Sequence, residues 1–298
     1  MSGNLLITGV AGFIGRQVAE QAIARGYRVT GLDRRASPVR GIHVVQADIR
    51  DRDRLMTVAR NQDSIIHLAA MTSNVQFVKN PAECYDVNTN GFLSVIDAAA
   101  RGGCQRFVYA SSAAVYLEGF SEEAVIDPRA QDNHYAKSKI MNEMTAESYK
   151  RIHGLSTIGL RYFNVYGDGE NAKGDYASIV TLFLRAKRNH DSLVVYGDGA
   201  QARDLIHVTN AARLTLDLLE KGSHDVYNVG TGVATTYRAI AEMIDRHHIR
   251  YVANPLPNYQ QYTRAETTRL HETLGVYDLI ELKQGIRDLE AEGGRSNP

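Results

Sequence analysis

The sequence predicts an α/β fold, with a doubly wound parallel sheet and a smaller, mixed C-terminal region. Three observations predict it: short apolar runs alternate with amphipathic stretches in the first half, a glycine-rich turn joins the first such pair, and the alternation breaks after about Tyr166. Regular alternation of strands and helices is typical of a mainly parallel sheet with helices on both faces. We therefore divide the chain into residues 1–165, which form most of the sheet, and residues 166–298, some of whose strands and helices return to it.

Each predicted element follows from its hydrophobic period, which is two in a half-buried strand and 3.6 in an amphipathic helix. The predicted strands of the first half are 5–8, 28–32, 43–47, 64–68, 107–111 and 157–161. The predicted helices between them are 13–25, 51–59, 82–101 and 135–153. Beyond Tyr166 we expect a loop over 167–175, a helix over 179–188 and short strands at 193–196, 204–208 and 226–229.

Composition excludes several classes of function. The 298 residues carry no net charge, and 44% of them are hydrophobic, so neither nucleic acid nor an anionic membrane surface is an expected partner. The two cysteines are too few for a disulfide framework, which indicates a reducing compartment. The chain begins without a basic, signal-like segment and has no membrane-length apolar run, so we expect a cytoplasmic location. The ten histidines are scattered without ligand-like spacing, and no metal site is expected.

A glycine-rich run lies between the first predicted strand and the first predicted helix. Its residues are Gly9, Val10, Ala11, Gly12, Phe13, Ile14 and Gly15. Glycines at this spacing allow a tight turn, close approach of the backbone to a pyrophosphate, and close helix–sheet packing. The second predicted strand runs up to Asp33, 18 positions beyond Gly15, where a carboxylate can bind the adenosine ribose. Together these features predict a dinucleotide site of the Rossmann type.

The same region bears on the choice between NAD and NADP. Asp33 favours NAD because its charge repels a 2′-phosphate, but Arg34 and Arg35 follow directly and could bind one. If these arginines are only solvated surface charges, NAD is the expected cofactor. NAD is narrowly favoured over NADP. Asp48 and Ile49 follow the third predicted strand and are placed to hold the adenine edge, with helix capping as the competing role for this region.

A tyrosine and a lysine lie one helical turn apart at Tyr135 and Lys139. Side chains at i and i+4 share a helix face, so the ammonium group is expected beside the phenol. A free phenol has a pKa of about 10, and a nearby cation favours its ionised form. The pair is therefore a candidate acid/base that moves a hydroxyl proton while a hydride moves elsewhere.

With the glycine run, Ser111-Ser112, Tyr135 and Lys139 in order, the chain resembles the extended short-chain dehydrogenase/reductase family of nucleotide-sugar epimerases and dehydratases. The resemblance implies an NAD(P)-binding Rossmann domain over 1–165 and a mainly substrate-binding region over 166–298. It also implies a nucleotide-diphosphate sugar as substrate and a homodimer packed through the helices 82–101 and 135–153.

Further site residues follow from this resemblance. Cofactor contacts are assigned to Leu68, Ala69, Ala70 and Asn88. Ser112 takes the position of the reactive serine, which donates a hydrogen bond to the reacting oxygen. Asn164 and Arg203 take the positions that contact the sugar diphosphate, and a surface ion pair with Asp204 is the alternative role for Arg203.

Two stretches are similar to the ADP-glycero-manno-heptose 6-epimerases within this family. The stretch 170–178 makes Lys173 a candidate second acid/base, with a solvated loop lysine as the alternative, and the stretch 258–266 makes Tyr259 a candidate substrate contact. Leu117, Asp168 and Tyr176 depart from the family pattern and leave the identity of the sugar open.

The leading hypothesis is an NAD(P)-dependent nucleotide-sugar epimerase that works through a transient keto sugar and resembles the heptose 6-epimerases. The alternatives are a UDP-sugar 4-epimerase and a reductase or dehydratase of a nucleotide-linked keto sugar. Ala113-Ala114 after Ser112 argue against elimination, because dehydratases usually carry an acidic pair there. The alternative from a different functional class is a non-catalytic dinucleotide-sensing regulator. The intact Ser112, Tyr135 and Lys139 argue against it.

Overall fold

The computed structural model describes residues 3–72, 74–117, 119–254 and 260–293. Its strands are β1 (Asn4–Thr8), β2 (Arg28–Asp33), β3 (His43–Gln46), β4 (Ser64–His67), β5 (Arg106–Ser112), β6 (Ser156–Tyr162), β7 (Asn164–Tyr166), β8 (Leu193–Tyr196), β9 (Ala202–His207), β10 (Val226–Val229), β11 (Ala234–Thr236) and β12 (Ile249–Val252). Its α-helices are α1 (Phe13–Ala24), α2 (Arg52–Val58), α3 (Asn74–Lys79), α4 (Pro81–Tyr85), α5 (Phe92–Gly102), α6 (His134–His153), α7 (Ile179–Arg188), α8 (Val208–Lys221), α9 (Tyr237–Asp245), α10 (Thr268–Leu274) and α11 (Leu282–Gly293).

Seven parallel strands form the central sheet in the order β10-β6-β5-β4-β1-β2-β3. From β1 the chain builds outward through β2 and β3, and then returns to build the other half from β4. The switch between β1 and β4 leaves a crevice at the carboxyl ends of the strands, where ligands bind in open α/β sheets. The predicted doubly wound sheet is confirmed, and the six strands predicted in the first half agree with the structure within one residue at each end.

Both faces of the sheet are covered, which explains why its central strands are apolar throughout. In β1, Leu5 and Ile7 pack with α1 and α8, whereas Leu6 points to the opposite face and packs with α2 and α5. The catalytic candidate helix α6 lies on the second face, and Ala146 joins the core there. The sheet is therefore a rigid platform whose carboxyl edge can present polar side chains.

The predicted helix 82–101 is wrong as one continuous helix. The structure has α4, a π-helical turn over Asp86–Gly91, and then α5. The turn brings Asn88 inward, where its amide accepts a hydrogen bond from the Met71 backbone N–H (2.8 Å) and donates one to the Met71 carbonyl (2.9 Å). The wider π turn thus coincides with a side chain that serves two backbone groups, and such turns are frequent at functional sites. The loop expected over 167–175 likewise contains a 3₁₀ segment, Glu170–Tyr176.

The C-terminal half forms two small sheets beside the carboxyl edge. Strand β9 pairs with β7 in parallel and with β11 in antiparallel orientation, and β8 pairs with β12. The chain also returns to the main fold, because α8 packs on α1 and β10 forms one edge of the central sheet. The division at residue 165 therefore remains a prediction about which part of the chain binds the cofactor and which part binds the substrate. Within the described ranges, no helix is both long and apolar enough to span a membrane.

Candidate active site

The glycine turn begins the site at the end of β1. Gly9 has a φ of +74°, and a Cβ atom there would lie 2.7 Å from the backbone nitrogen of Ala69. A Cβ atom on Gly15 would lie 2.1 Å from the carbonyl oxygen of Gly9, so α1 packs against the turn without room for a side chain. Gly12 caps the start of α1. The positive end of that helix thus faces the crevice, as an anionic pyrophosphate requires.

Two adjoining cavities open along this crevice. The larger, of about 460 Å³, is bounded by the glycine turn, the end of β5, α6 and the loop after β7. Among its lining residues are Gly9, Gly12, Phe13, Ile14, Gly15, Ser112, Tyr135, Lys139 and Lys173. The smaller, of about 310 Å³, continues over β2 and β3, and its lining includes Asp33, Arg34, Asp48, Ile49, Leu68, Ala69 and Ala70. Most of the residues proposed from sequence as cofactor contacts therefore line one or both of these cavities.

Asp33 lies at the junction of the turn and the smaller cavity. Its carboxylate accepts hydrogen bonds from the backbone N–H groups of Ala11 and Arg35, both at 3.0 Å. Arg34 and Arg35 are more than half exposed at the lip, and Arg34 lies 3.9 Å from the Asp48 carboxylate. Asp33 and both arginines therefore line the same crevice, with the arginines at its exposed rim.

Asp48 is paired within its own segment. Arg50 donates two hydrogen bonds from its guanidinium group to the carboxylate, at 3.0 and 2.8 Å, and these bonds lower the pKa of Asp48. The competing capping role belongs instead to Asp51, which accepts a hydrogen bond from the backbone N–H of Arg54 at the start of α2. Ile49 is buried against Gly91 at the start of α5.

Asn88 lies behind the cavities, 2% exposed. Besides its bonds to Met71, its amide donates to the Ser138 hydroxyl at 3.2 Å. The side chain thus joins the segment after β4 to α6. Its assignment as a cofactor contact stays a prediction.

The predicted acid/base pair meets at the floor of the larger cavity. The Lys139 ammonium lies 5.8 Å from the centroid of the Tyr135 ring and donates a hydrogen bond to the Ala110 carbonyl at 2.8 Å. Burial lowers the pKa of Lys139 to about 8, and the Glu143 carboxylate opposes this shift. Burial also raises the pKa of Tyr135, while a hydrogen bond with Ser112 lowers it. Tyr135 and Ser112 are thus hydrogen-bonded neighbours, with the Lys139 ammonium close to the Tyr135 ring.

Lys173 reaches the same cavity from the opposite wall. Its ammonium lies 4.3 Å from the centroid of the Phe13 ring and donates to the Glu170 carboxylate at 3.0 Å. Glu170 is 1% exposed and also accepts from the Ser178 N–H and hydroxyl and from the Thr181 hydroxyl. The buried Glu170 carboxylate, which was not predicted from the sequence, therefore holds Lys173 at the cavity.

The structure does not bring the residues predicted to contact the sugar diphosphate together around the two cavities. Asn164 donates to the Asp204 carbonyl (3.2 Å) and the Thr263 hydroxyl (3.3 Å). Arg203 is 6% exposed, donates to the carbonyls of Ala202 and Gln260, and lies outside the walls of the two cavities. Tyr259 falls outside the described residues.

Asp204 is a buried hub that sequence reasoning missed. Its carboxylate accepts hydrogen bonds from the N–H and hydroxyl of Thr231, the N–H of Gly232 and the N–H of Ala265, at 2.7–2.9 Å. The alternative of a surface ion pair between Arg203 and Asp204 is therefore wrong, because both residues are buried and the carboxylate holds these two loops. Burial raises the pKa of Asp204, and the hydrogen bonds oppose that shift. Its partners lie 27 to 61 positions away, so no local pattern marks it.

Glu143 was also missed, although it lies one helical turn beyond Lys139. Arg161 donates to its two carboxylate oxygens at 2.9 and 2.7 Å, and the Ser111 hydroxyl donates at 2.5 Å. An acidic residue at i+4 from the candidate lysine was the signal that could have found it. In the described part of the chain, no three His, Cys, Asp or Glu side chains converge as a metal-ligand set.

Comparison with known proteins gives a consistent result. The family described as "NAD dependent epimerase/dehydratase family" matches residues 5–230. A putative UDP-glucose 4-epimerase of Methanocaldococcus jannaschii is 30% identical, over 95% of this chain and 96% of that protein. An ADP-L-glycero-D-manno-heptose-6-epimerase of Alkalilimnicola ehrlichii is also 30% identical, over 95% of each chain.

A solved structure has the same fold over nearly the whole length. The UDP-glucose 4-epimerase of Thermotoga maritima, crystallised with UDP-glucose, superposes with a TM-score of 0.89 at 27% identity, covering 98% of each chain. The match therefore includes the small C-terminal sheets as well as the central one. By the family match, the extent of the identities and the shared fold, this chain belongs to the NAD-dependent epimerase/dehydratase family.

Proposed function

We propose that this protein is a nucleotide-sugar epimerase that interconverts two UDP-hexoses through a transient 4-keto sugar. One observation carries the proposal: Ser112, Tyr135 and Lys139 meet in the cavity that the dinucleotide turn opens into. Relatives and a structural neighbour described as UDP-glucose 4-epimerases support the choice of sugar and nucleotide.

The site fits a bound NAD. Gly9 and Gly15 have no side chain at the two points of the turn where a Cβ atom would collide with the backbone. The two adjoining cavities offer room for both halves of a dinucleotide. We propose NAD rather than NADP, because the Asp33 carboxylate lies inside the crevice and would repel a 2′-phosphate. When bound, the nicotinamide supplies the hydride acceptor and returns the hydride later.

The chain's own residues handle the proton. Tyr135, as the phenolate, accepts the proton of the sugar hydroxyl and returns it to the keto oxygen after the sugar presents its other face. The Lys139 ammonium favours the phenolate, and the positive charge of oxidised nicotinamide acts in the same direction. Ser112 donates a hydrogen bond to the reacting oxygen, which stabilises the negative charge that develops there.

A second candidate is a 6-epimerase acting on an ADP-heptose, and the position of Lys173 favours it. Its ammonium enters the cavity on the wall opposite Tyr135, as a second acid/base serving the other face of a keto sugar would require. A relative described as an ADP-heptose epimerase at 30% identity gives independent support. In a 4-epimerase, the whole keto sugar turns over in the site and Lys173 has no chemical role.

Replacing Lys173 tests the two candidates together. Lys173→Met keeps the length of the side chain and removes its charge, and Lys221→Met, at the exposed end of α8, is the matched control. We expect purified wild type, Lys173→Met and the control to interconvert UDP-glucose and UDP-galactose at similar rates, measured by chromatography of the products. Turnover of an ADP-heptose by the wild type and not by Lys173→Met would establish the second candidate instead.

The remaining alternatives have distinct signatures in the same assay. Net consumption of added NADH together with a nucleotide-linked keto sugar would indicate a reductase. Retention of NAD without turnover of any nucleotide sugar would indicate a dinucleotide-sensing regulator, and mass spectrometry of the retained compounds would also name the cofactor.

The expected homodimer stays a prediction. The two helices implied in it, α5 and α6, expose large apolar side chains at Leu93, Met141 and Met144. Such groups support an interface through these helices, since exposed apolar clusters often mark protein contacts.

A further inference from the structure

One face of α6 carries three ionisable side chains in a row. Tyr135, Lys139 and Glu143 follow one another at intervals of four residues, which places them along the same side of the helix. The first two line the active-site cavity, whereas the third meets Arg161 of β6 and lines a separate cavity. The Glu143 carboxylate is therefore the next charged group along this face from the lysine.

The position of Glu143 is defined by three hydrogen bonds from two strands. Arg161 on β6 donates from Nε and Nη2 to separate carboxylate oxygens, a bidentate arrangement with little rotational freedom. Ser111 on β5 donates its hydroxyl to the same carboxylate, and it directly precedes the reactive-serine candidate Ser112. One carboxylate thus fixes the helix that carries Tyr135 to the strand that carries Ser112.

The side of the Arg161 guanidinium group that faces away from Glu143 is also held in place, by Tyr116. Its Nη1 donates to the Tyr116 hydroxyl at 2.8 Å, and its guanidinium carbon lies 4.8 Å from the centroid of the Tyr116 ring. The Tyr116 hydroxyl donates in turn to the Asn228 amide at 2.7 Å. The arginine is therefore not free to leave Glu143 for another acceptor.

The charges around Lys139 come from three elements. On α6 it has Tyr135 and Glu143, on β4 it has His67, and on β6 Arg161 lies beyond Glu143. Burial lowers the pKa of His67 to about 3, so this imidazole is neutral and does not offset the lysine charge. On strand β5, the Ala110 carbonyl accepts a hydrogen bond from the ammonium, and the buried Tyr109 interacts electrostatically with Glu143 and Arg161. Glu143 is the one carboxylate among these groups.

We propose that Glu143 is a positioning residue, which keeps Lys139 in its ammonium form beside Tyr135 and locks α6 to the strand that carries Ser112. Its effect on turnover rests on the proposed function, whereas its effect on Lys139 does not. A carboxylate one helical turn away raises the pKa of a buried lysine, and the lysine in turn favours the phenolate.

The test compares Glu143→Gln with Glu147→Gln. Glu147 lies one turn further along α6 and is mostly exposed, which makes it a matched control. In protein carrying ¹³C-labelled lysine, with Lys139→Arg used to assign the signal, nuclear magnetic resonance follows the titration of Lys139 without any substrate. We expect Glu143→Gln to lower its midpoint by on the order of one pH unit, and Glu147→Gln to leave it unchanged.

Turnover gives the second readout. Because the active form needs Lys139 protonated, the alkaline limb of kcat against pH should move to lower pH in Glu143→Gln and stay in place in Glu147→Gln. An unchanged midpoint and an unchanged limb in Glu143→Gln would overturn the proposal and leave an ordinary structural ion pair. A shifted midpoint in a protein that turns over no nucleotide sugar would support the positioning role and refute the proposed function.

A second variant covers the case in which Glu143→Gln does not fold, because Arg161 then loses a charged partner inside the protein. Glu143→Asp keeps the charge but draws it back by one methylene. We expect a smaller shift of the Lys139 midpoint in the same direction, with thermal unfolding monitored in parallel. A midpoint raised above that of the wild type would overturn the proposal.

Discussion

The two walls of the larger cavity are built in different ways. One wall is α6, a helix of 20 residues, capped at its start by the Asn133 side chain and followed by Gly154 in the left-handed region. The other is the segment Glu170–Tyr176, a 3₁₀ stretch interrupted at Gly174. On the first wall the regular helix sets the spacing of Tyr135 and Lys139. On the second wall one buried carboxylate, Glu170, sets the position of Lys173.

On the first wall the positions of the side chains follow from the local geometry of a helix. On the second wall they depend on contacts outside the local backbone. A helix repeats every 3.6 residues whatever surrounds it, so the lysine reaches the tyrosine by spacing alone. A 3₁₀ segment has weaker hydrogen-bond geometry and needs other contacts to hold its shape. Changes on the first wall should therefore alter catalysis with little loss of structure, whereas changes on the second should alter local order first.

The largest effect should follow removal of the Tyr135 hydroxyl. For Tyr135→Phe we expect kcat to fall by about 10²–10⁴-fold, the usual contribution of an acid/base group, with the fold unchanged. Steady-state kinetics and circular dichroism measure the two effects. Tyr149→Phe, on the same helix and bonded through its hydroxyl to Asp97, serves as the control and should keep full activity. Similar losses in both variants would show that the helix as a whole is disturbed.

An intermediate effect should follow Glu170→Gln on the other wall. The amide cannot accept all four hydrogen bonds that the buried carboxylate accepts, and we expect a loss of about 2–4 kcal/mol in local stability. Hydrogen exchange should rise across residues 167–178 and stay unchanged in α6. Asp175→Asn, in the same segment but fully exposed, should change neither. Faster exchange in α6 would show that the two walls are not independent.

The smallest effect should come from the outer end of the same wall. Asp168 forms an ion pair with Arg16 of α1 at 2.8 Å, and its side chain is 61% exposed. A double-mutant cycle of Asp168→Asn with Arg16→Gln should give a coupling of about 0.2–1 kcal/mol, reduced further by salt. A coupling of several kcal/mol would show that this pair, rather than Glu170, holds the loop.

The sequence predicted the parts of the site whose geometry is local. The glycine turn and the pair Tyr135–Lys139 lie within eight residues each, and the parallel sheet brings them to one edge. Glu143 and Arg161 are 18 positions apart and meet only because β6 packs beside α6, which no short pattern encodes. The continuous helix expected over 82–101 failed for a similar reason, because Asn88 turns inward to serve the backbone of Met71.

Asp204 has a consequence for how this protein can vary. The residues that donate to its carboxylate, Thr231, Gly232 and Ala265, stand at the two ends of a stretch of chain that carries β11, α9 and β12. Loss of these hydrogen bonds would leave a buried charge without partners, which is strongly destabilising. Because β11 pairs with β9, β12 pairs with β8, and α9 packs into a core through Tyr237 and Ile240, changes between the two anchors also act on the C-terminal sheets. One buried carboxylate therefore ties this part of the C-terminal region to β9, and Asp204 is the position there that the fold can least accept changing.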